Sequence, residues 1–405
     1  MQPHMHHQST PLSMPAHDPA LRQQIPWWND LDAATINELT LAPPDLPLRQ
    51  APDVVVVGAG VAGLSAALSA RAGGAGVLVL EREPQLGCGA TGRNAGILSA
   101  GINMSISEVP ASGPEIAFWP ETTGVLLSLV DEAARPGSLL SARLTGAISL
   151  AESRHAARKQ EREARRRIAL GLRAELWSPA QVAEATAGRL NVASVVNALW
   201  LPDEGRIHPL SLLAYLAQQA RAAGITIMGQ APVASWQEET RAGGYRWRLA
   251  LANGASIMAR GLINATGPMA QPNARIYALA FAADLPATFP LFWDASPYTY
   301  ADFRPGNGRL GVSGGRYGRA GVTRHDGRFY RRLADAARRW LPELAQQEPL
   351  ATWAVDLQVA ADMVPCLRPL GKVAPGLAIE GLGALGVLPG IILGRRAGSM
   401  IAARL

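Results

Sequence analysis

Residues 52–83, PDVVVVGAGVAGLSAALSARAGGAGVLVLERE, restrict the possible folds more than any other segment. A continuous apolar run is followed by a glycine turn, a helix of small residues and a second apolar run. Continuous apolar strands are typical of parallel sheets, which are covered on both faces. The segment therefore predicts a βαβ unit and an α/β, Rossmann-type domain.

The glycine turn carries a G-x-G-x-x-G motif formed by Gly58, Gly60 and Gly63. The first glycine permits the tight turn, the second lets a pyrophosphate approach the backbone, and the third brings the helix close to the strand. The helix N-terminus offers free N–H groups to phosphates. Glu81 ends the second strand, where a carboxylate can accept hydrogen bonds from a ribose. The motif predicts a dinucleotide site, with a tight turn that binds no ligand as the alternative.

A second glycine-rich stretch, QLGCGATGRNAGILSAG (85–101), follows almost directly after Glu81. A dehydrogenase with NAD as its only cofactor would need no such loop here. The stretch resembles the cofactor loop of the D-amino-acid-oxidase-like superfamily of FAD-dependent amine oxidoreductases, which includes sarcosine, glycine and γ-glutamylputrescine oxidases. In that family small residues let the backbone approach the flavin ring and its ribityl chain. The resemblance implies FAD as the cofactor.

Further segments extend the resemblance over most of the chain after residue 50. DEGRIHP (203–209) resembles the family's turn into a long helix, QAPVASW (230–236) its adenine-side strand, and INATGPMA (263–270) an element that closes on the cofactor. GLGALGVLPGIILGRRAG (381–398) resembles the last glycine loop and helix, which face the flavin pyrimidine ring. A helix N-terminus there would stabilise the negative charge that develops on reduction.

The resemblance implies a defined set of FAD contacts. Gly89–Thr91 would line the phosphate and ribitol portion, and Arg93–Ile97 would pass the isoalloxazine ring. The expected cofactor-binding residues are Gly58, Gly60, Gly63, Glu81, Arg82, Gly89, Ala90, Thr91, Arg93, Asn94, Ala95, Gly96, Ile97, Val233, Gly267, Gly386, Val387 and Leu388.

The chain departs from the family pattern in three places. Ala384-Leu385-Gly386 stands where relatives often carry Gly-His-Gly. The cysteine that holds the flavin covalently in sarcosine oxidase would align near Val355, well before Cys366, so FAD is expected to bind non-covalently. A lysine near the flavin activates oxygen in some relatives, and this chain has no lysine between residues 159 and 372.

The segment FPLFWDASPYTYADFRP (289–305) resembles the substrate-domain strands that cover the flavin. Strand alternation places Tyr298 and Tyr300 on one face, where they could orient a substrate carboxylate or surround an amine. Half-buried tyrosines of a sheet are the alternative. Arg316 follows a glycine pair and could bind a carboxylate through two hydrogen bonds, or it could be a surface arginine. These three side chains are the predicted catalytic residues.

The expected reaction is oxidation of the CH–NH bond of an amine or amino acid to an imine, by hydride transfer to flavin N5. Two alternatives remain open at this point. A dehydrogenase would pass the electrons to a quinone or a protein acceptor. A non-catalytic FAD-binding subunit of a larger complex would keep the fold without turnover.

Composition restricts the partners and the compartment. Arginines supply almost all of the positive charge in a chain of 405 residues with a formal net charge of +6, yet no basic cluster is interleaved with aromatic residues. This pattern predicts small-molecule partners and no nucleic acid. Two cysteines suit a reducing cytoplasm, and the N-terminal segment lacks a signal-peptide pattern. The longest apolar stretch, 381–394, is too short to span a bilayer, and no metal site is expected.

The sheet-forming segments of the nucleotide-binding unit are separated by long excursions, so the sequence predicts two interleaved domains. Residues 1–50 form a proline-dotted lead anchored by IPWWNDL (25–31). The FAD-binding domain is expected to comprise 51–101, 203–274 and 353–405. An α+β substrate domain, built on a mixed or antiparallel sheet, is expected to comprise 102–202 and 275–352.

Overall fold

The computed structural model describes residues 25–48, 50–241, 244–267, 272–294 and 301–405. The strands are, in chain order, β1 (Val54–Val57), β2 (Val77–Leu80), β3 (Ile97–Leu98), β4 (Ala142–Leu144), β5 (Ala147–Ala151), β6 (Glu175–Trp177), β7 (Asn197–Leu201), β8 (Gly205–Ile207), β9 (Thr226–Met228), β10 (Val233–Arg241), β11 (Gly244–Leu251), β12 (Ser256–Ala259), β13 (Gly261–Asn264), β14 (Ala274–Ala282), β15 (Leu291–Asp294), β16 (Ala301–Gly306), β17 (Arg309–Arg319), β18 (Ala351–Leu357), β19 (Cys366–Pro369) and β20 (Gly376–Glu380). The α-helices are α1 (Ala33–Leu39), α2 (Val61–Ala72), α3 (Ala90–Arg93), α4 (Phe118–Ala133), α5 (Arg154–Ala169), α6 (Pro179–Ala185), α7 (Pro209–Ala222), α8 (Asp326–Trp340) and α9 (Val387–Ala402).

A six-stranded sheet in the order β19-β20-β13-β1-β2-β9 forms the half that is predicted to bind the nucleotide. Its strands pair in parallel except for the antiparallel edge pair of β19 and β20. All four valines of β1 are buried, because Val54 and Val56 face the helices while Val55 and Val57 face the small sheet β10-β11-β12. The continuous apolar strand therefore results from burial on both faces, and the predicted Rossmann-type α/β fold is confirmed.

Helices α2 and α9 cross in very close contact. A Cβ atom at Gly394 would lie 2.3 Å from the carbonyl oxygen of Ala62, and one at Gly398 would lie 2.2 Å from that of Ala66. Glycines four residues apart on α9 thus let the backbones touch where any side chain would separate them. The contact fixes the C-terminal helix beside the helix that follows the glycine turn.

The second half is built on an eight-stranded sheet in the order β18-β14-β17-β16-β15-β5-β7-β6. All of its pairs are antiparallel except that of β15 with β5. One face packs against α8 through a core that includes Tyr277, Phe303 and Trp340. A small sheet, β3-β8-β4, completes this part. The predicted mixed sheet is confirmed. The face of the sheet opposite α8 lines the cavity described below.

The chain alternates between the two sheets several times. Strand β18 pairs with β14 in the eight-stranded sheet, so the boundary predicted at residue 353 falls inside that strand. In the N-terminal lead, a 3-10 turn at Pro26–Asp30 places Trp27 and Trp28 in the core. Across the described ranges, none of the helices combines the length and the apolar character needed to cross a bilayer.

Candidate active site

A cavity of about 600 Å³ lies between the two sheets. Its wall is formed by the turn after β1, the end of β2, the loop around α3, the loop before α9 and one face of the eight-stranded sheet. This volume falls within the range of pockets that hold small ligands and cofactors. The cavity therefore joins the nucleotide-binding half to the predicted substrate half.

The turn between β1 and α2 has the geometry that its glycines predict. Gly58 adopts a φ of +97°, and a Cβ there would lie 2.8 Å from the carbonyl oxygen of Ala265. Gly60 precedes the first residue of α2 and lines the cavity. Gly63 does not line it; a Cβ at Gly63 would lie 1.9 Å from the carbonyl oxygen of Gly58. The third glycine thus holds the helix against the turn, as the motif predicts.

Glu81 is oriented towards this turn at the end of β2. Its Oε2 accepts a hydrogen bond from the Ala59 N–H at 2.9 Å, and its Oε1 accepts one from the Glu83 N–H at 3.2 Å. Burial raises the pKa of Glu81, while the two backbone N–H groups favour the ionised form. A carboxylate has further lone pairs, so Glu81 can also accept hydrogen bonds from a ribose in the cavity.

The loop around α3 is tied to the N-terminus of α2. The hydroxyl of Thr91 accepts a hydrogen bond from the Val61 N–H at 3.2 Å, next to Gly60. The side chain of Asn94 bridges the loop, since it donates to the Thr91 carbonyl and accepts from the Gly96 N–H at 2.7 Å. These bonds fix the backbone that the sequence predicts to lie along the flavin.

Two tryptophans from distant segments donate hydrogen bonds to the same loop. The indole Nε1–H of Trp353, on β18, donates to the carbonyl oxygen of Arg93 at 2.9 Å. That of Trp27, in the N-terminal lead, donates to the carbonyl oxygen of Asn94 at 2.9 Å. Consecutive carbonyl groups are therefore satisfied from opposite ends of the chain. Neither role was predicted from the sequence.

The backbone conformation and the close packing at residue 96 both require a glycine. Its φ is +72°, and a Cβ there would lie 2.5 Å from the carbonyl oxygen of Ile207. The buried Arg304 donates to the carbonyl groups of Gly96 and Ile207 at 3.4 and 3.2 Å, and burial lowers the pKa of Arg304 to about 9. Gly96 does not line the cavity, so its small size allows β8 to approach the loop.

The last glycine loop is held by Asn103, which the sequence analysis missed. The Oδ1 of Asn103 accepts from the Leu385 N–H at 2.8 Å, and its Nδ2 donates to the Leu382 carbonyl at 3.0 Å. Ala384 and Leu385 line the cavity immediately before α9. A single amide thus fixes the loop that the resemblance places at the flavin pyrimidine ring.

A buried ion pair supports the segment that follows β3. The Oε2 of Glu204 accepts from the Ala100 N–H at 2.7 Å, and its Oε1 accepts from Nη1 of Arg167 at 3.0 Å. Both charged side chains are at most 8% exposed. Glu204 belongs to DEGRIHP, so this motif holds the cofactor loop in place through a paired charge.

The eight-stranded sheet faces the cavity with a row of residues across five neighbouring strands. Backbone register pairs Trp293 with Asp302, Asp302 with Ser313, Ser313 with Ala278, and Ala278 with Trp353. All five line the cavity. Paired residues of adjacent strands share a face of the sheet, so this row is the wall opposite the cofactor turn. Asp302 is its one charged member.

Most predicted site residues line the cavity. Those that do so are Gly58, Gly60, Glu81, Arg82, Gly89, Ala90, Thr91, Arg93, Asn94, Ala95, Ile97, Val233, Gly267, Gly386, Val387 and Leu388. Tyr298 and Tyr300 lie outside the described residues. Arg316 is exposed on β17 and is not part of the lining, so a role for it in substrate binding stays a prediction.

The polar groups of the cavity fit an anionic dinucleotide such as FAD. The side chain of Arg93 lines the cavity, and its Nε is buried with no hydrogen-bond partner among the residues that the structure describes. Burial also lowers the pKa of Arg93, because the attraction of Glu83 leaves the buried guanidinium without full compensation. An anionic ligand beside the free N–H groups of α2 would supply that compensation.

The comparison with known families identifies the class. Residues 53–400 match the family described as FAD dependent oxidoreductase, abbreviated DAO. Because the match spans most of the chain, the chain belongs to the DAO family of FAD-dependent oxidoreductases. The predictions of this family, of FAD as cofactor and of an FAD-dependent enzyme are thereby confirmed.

Individual relatives are more distant. Glycine oxidase from Geobacillus kaustophilus superposes with a TM-score of 0.73 at 20% identity, over 87% of this chain and 95% of that one. L-proline dehydrogenase from P. horikoshii superposes with a TM-score of 0.70 at 17% identity, over 88% of this chain and 93% of that one. At these identities the similarity establishes the fold.

In sequence, the mitochondrial pyruvate dehydrogenase phosphatase regulatory subunit of Mus musculus is 27% identical over 210 residues, which is 51% of this chain and 22% of that protein. The match thus spans less than a quarter of that relative.

Proposed function

We propose that the protein oxidises the CH–NH bond of an amine or amino acid to an imine, which water then hydrolyses. The observation that carries the proposal is a single cavity whose wall combines the dinucleotide turn with the row that contains Asp302. When bound, FAD supplies the hydride acceptor. The names of the solved relatives, glycine oxidase and L-proline dehydrogenase, refer to compounds with a C–H bond next to nitrogen.

The residues of the chain contribute position and desolvation. Trp293 and Trp353 flank the row on the substrate side, and both line the cavity. Their indoles exclude water from the wall where substrate would bind, which strengthens electrostatic interactions there. Trp353 also holds the Arg93 carbonyl, so one side chain links the substrate wall to the cofactor loop.

The cofactor is proposed to bind without a covalent bond. Both cysteines of the chain are described, and neither Cys88 nor Cys366 lines the cavity. Burial raises the pKa of the Cys88 thiol, which lowers the fraction of reactive thiolate. Acid precipitation should therefore release all flavin as FAD, and flavin retained in the precipitate would contradict this part of the proposal.

A second candidate is a regulatory FAD-binding subunit, which the name of the Mus musculus relative favours. Anaerobic mixing of the FAD-loaded protein with a panel of amines and amino acids separates the two. An amine oxidoreductase loses the yellow colour of oxidised flavin with at least one member of the panel. A subunit without turnover stays yellow with every compound.

A further inference from the structure

Asp302 has an unusual position for a carboxylate. It is the second residue of the antiparallel strand β16, between Ala301 and Phe303, which are fully buried in the core under α8. Since successive side chains of a strand point to opposite faces, Asp302 points away from that core and into the cavity. Its side chain is partly exposed in the structure, and the surface that it exposes faces the cavity.

No cation of the described chain neutralises Asp302. Its side chain has no hydrogen-bond partner among the described residues, and within them the only charge that acts on it is the like charge of Asp294 on β15. Tyr317 on β17 is the other titratable group that interacts with it. Burial, reinforced by Asp294, raises the pKa of Asp302 to about 7. A cationic ligand would remove this penalty on the charged form.

The neighbours of Asp302 suit such a cation. Trp293 is its direct partner on β15, and Ser313 its partner on β17. An indole attracts a positive charge near its face, and a hydroxyl can hydrogen-bond to a carboxylate or to an N–H group. An aromatic ring beside a carboxylate is a common arrangement for binding protonated or quaternary nitrogen.

We infer that Asp302 binds the positively charged nitrogen of the substrate and accepts a proton from it, so that the substrate class is an amine that is protonated in solution. This inference rests on the proposed function for its chemical step, whereas the binding of a cation at Asp302 stands without it.

The proton transfer precedes oxidation. A protonated amine has no lone pair on nitrogen, so its C–H bond cannot release a hydride to give a C=N bond. When the N–H proton moves to the ionised Asp302, the carboxylate becomes a carboxylic acid and the amine becomes neutral. The nitrogen lone pair is then available to form the C=N bond, and FAD, when bound, would supply the acceptor for the hydride and its two electrons.

Binding is tested with two probes that cannot be oxidised by this route. Glycine betaine carries a quaternary nitrogen without a lone pair, and 3,3-dimethylbutanoate is its uncharged isostere at that centre. We expect calorimetric titration of the FAD-loaded protein at pH 8 to give at least about tenfold tighter binding of betaine. Asp302→Asn should abolish the preference, whereas Asp302→Glu, which keeps the charge, should retain it in part.

The control is Asp335→Asn, because Asp335 is 74% exposed on α8. This variant should keep the preference of the unmodified protein. Equal affinities for the two probes, no detectable binding of betaine, or a preference that survives in Asp302→Asn would each overturn the assignment. If Asp302→Asn fails to load FAD, the test rests on Asp302→Glu. An Asp302→Glu protein that loads FAD but no longer prefers betaine would also contradict the assignment.

Anaerobic reduction by N-methylglycine, glycine and L-proline tests the chemical step. Asp302→Asn should slow reduction roughly 100-fold and remove an inflection near pH 7 from the rate profile. If amines reduce the FAD and the variant changes neither rate nor profile, the inference fails and the proposed function stands. If no amine reduces the FAD but the betaine preference depends on Asp302, the cation site stands and the proposed oxidation fails.

Discussion

The indole of Trp27 donates a hydrogen bond to the carbonyl oxygen of Asn94 at 2.9 Å, across 67 residues of chain. The guanidinium of Arg304 lies 4.6 Å from the centre of the same indole, and the ring of His208 meets it edge-on. The N-terminal lead is thus part of the support of the cofactor loop.

Trp27→Phe keeps an aromatic ring and removes the donor. The Asn94 carbonyl would lose its partner at a cost of about 1 kcal/mol, so we expect roughly fivefold weaker binding of FAD to the apoprotein. Trp177→Phe is the control, since its indole N–H bonds to Glu175 in an exposed pair remote from the cavity. Fluorescence titration with FAD measures both, and equal affinity of Trp27→Phe and the unmodified protein would contradict the support role.

The glycines of the turn should separate into two kinds. Gly63→Ala forces a methyl group into the Gly58 carbonyl, so we expect the apoprotein to lose about 1–3 kcal/mol of unfolding free energy. Gly60→Val should leave the apoprotein nearly as stable and abolish FAD binding, because its side chain would enter the cofactor space. Gly124→Ala, in α4 with no heavy atom nearby, is the control. Thermal unfolding of the apoproteins measures the stability, and titration with FAD measures the binding. If Gly60→Val and Gly63→Ala changed stability and FAD binding to the same extent, the distinction between the two glycines would be wrong.

Removal of the charge at Glu204 should lower the free energy of unfolding, although a glutamine at this position can still accept a hydrogen bond. Glu204→Gln removes one of the two carboxylates that pair with the buried Arg167, since Glu163 also bonds to it at 2.9 Å, and we expect a loss of about 2 kcal/mol in urea unfolding. The adjacent Asp203→Asn breaks a pair with Arg173, whose side chain is 65% exposed, and should cost less than about 1 kcal/mol. Similar losses in the two variants would show that burial of the pair does not matter.

Stability should depend on pH through Asp302. Its pKa is about 7 in the folded protein and 3.8 in the reference state, so the folded state retains a proton that the unfolded chain has lost between these values. Stability therefore falls as pH rises from about 4 to about 7 and then levels off. Asp302→Asn should raise the melting temperature at pH 8 more than at pH 5. A shift that is the same at both pH values would exclude a raised pKa.

Reoxidation by oxygen should be slower than reduction by the best substrate. Of the described residues that line the cavity, Arg82 and Arg93 are the basic ones, and the last loop contributes the uncharged Leu385. A positive charge stabilises the superoxide-like state through which oxygen reacts. Leu385→Lys should therefore speed reoxidation about tenfold, unlike Leu385→Met, and a quinone should speed turnover of the unmodified protein. Stopped-flow reoxidation that outpaces reduction in air-saturated buffer would identify an oxidase.

The cofactor half was predictable because its chemistry is encoded locally. Gly58, Gly60 and Gly63 lie within six residues of one another, and the backbone positions that they permit follow directly from their spacing. The four valines of β1 likewise report burial on both faces without reference to the rest of the chain. Short-range patterns of this kind need no knowledge of tertiary contacts.

The supporting residues could not be predicted in the same way. Trp27, Trp353 and Asn103 act through single hydrogen bonds to segments far away in the chain, and one tryptophan or asparagine in a sequence does not reveal its partner. Asp302 did leave a signal. The alternation that places Tyr298 and Tyr300 on one face continues to residue 302, where it puts a carboxylate on the same side.

The close crossing of α2 and α9 has a consequence for biosynthesis. Helix α9, whose glycines contact α2, is translated about 300 residues after α2. At 5–20 residues per second, this interval is roughly 15–60 s. During that time α2 exposes the surface that Gly394 and Gly398 will contact, and the loop ahead of α9 does not yet exist. We therefore expect cofactor capture to follow translation of α9, although the glycine motif of the turn is made about 300 residues earlier.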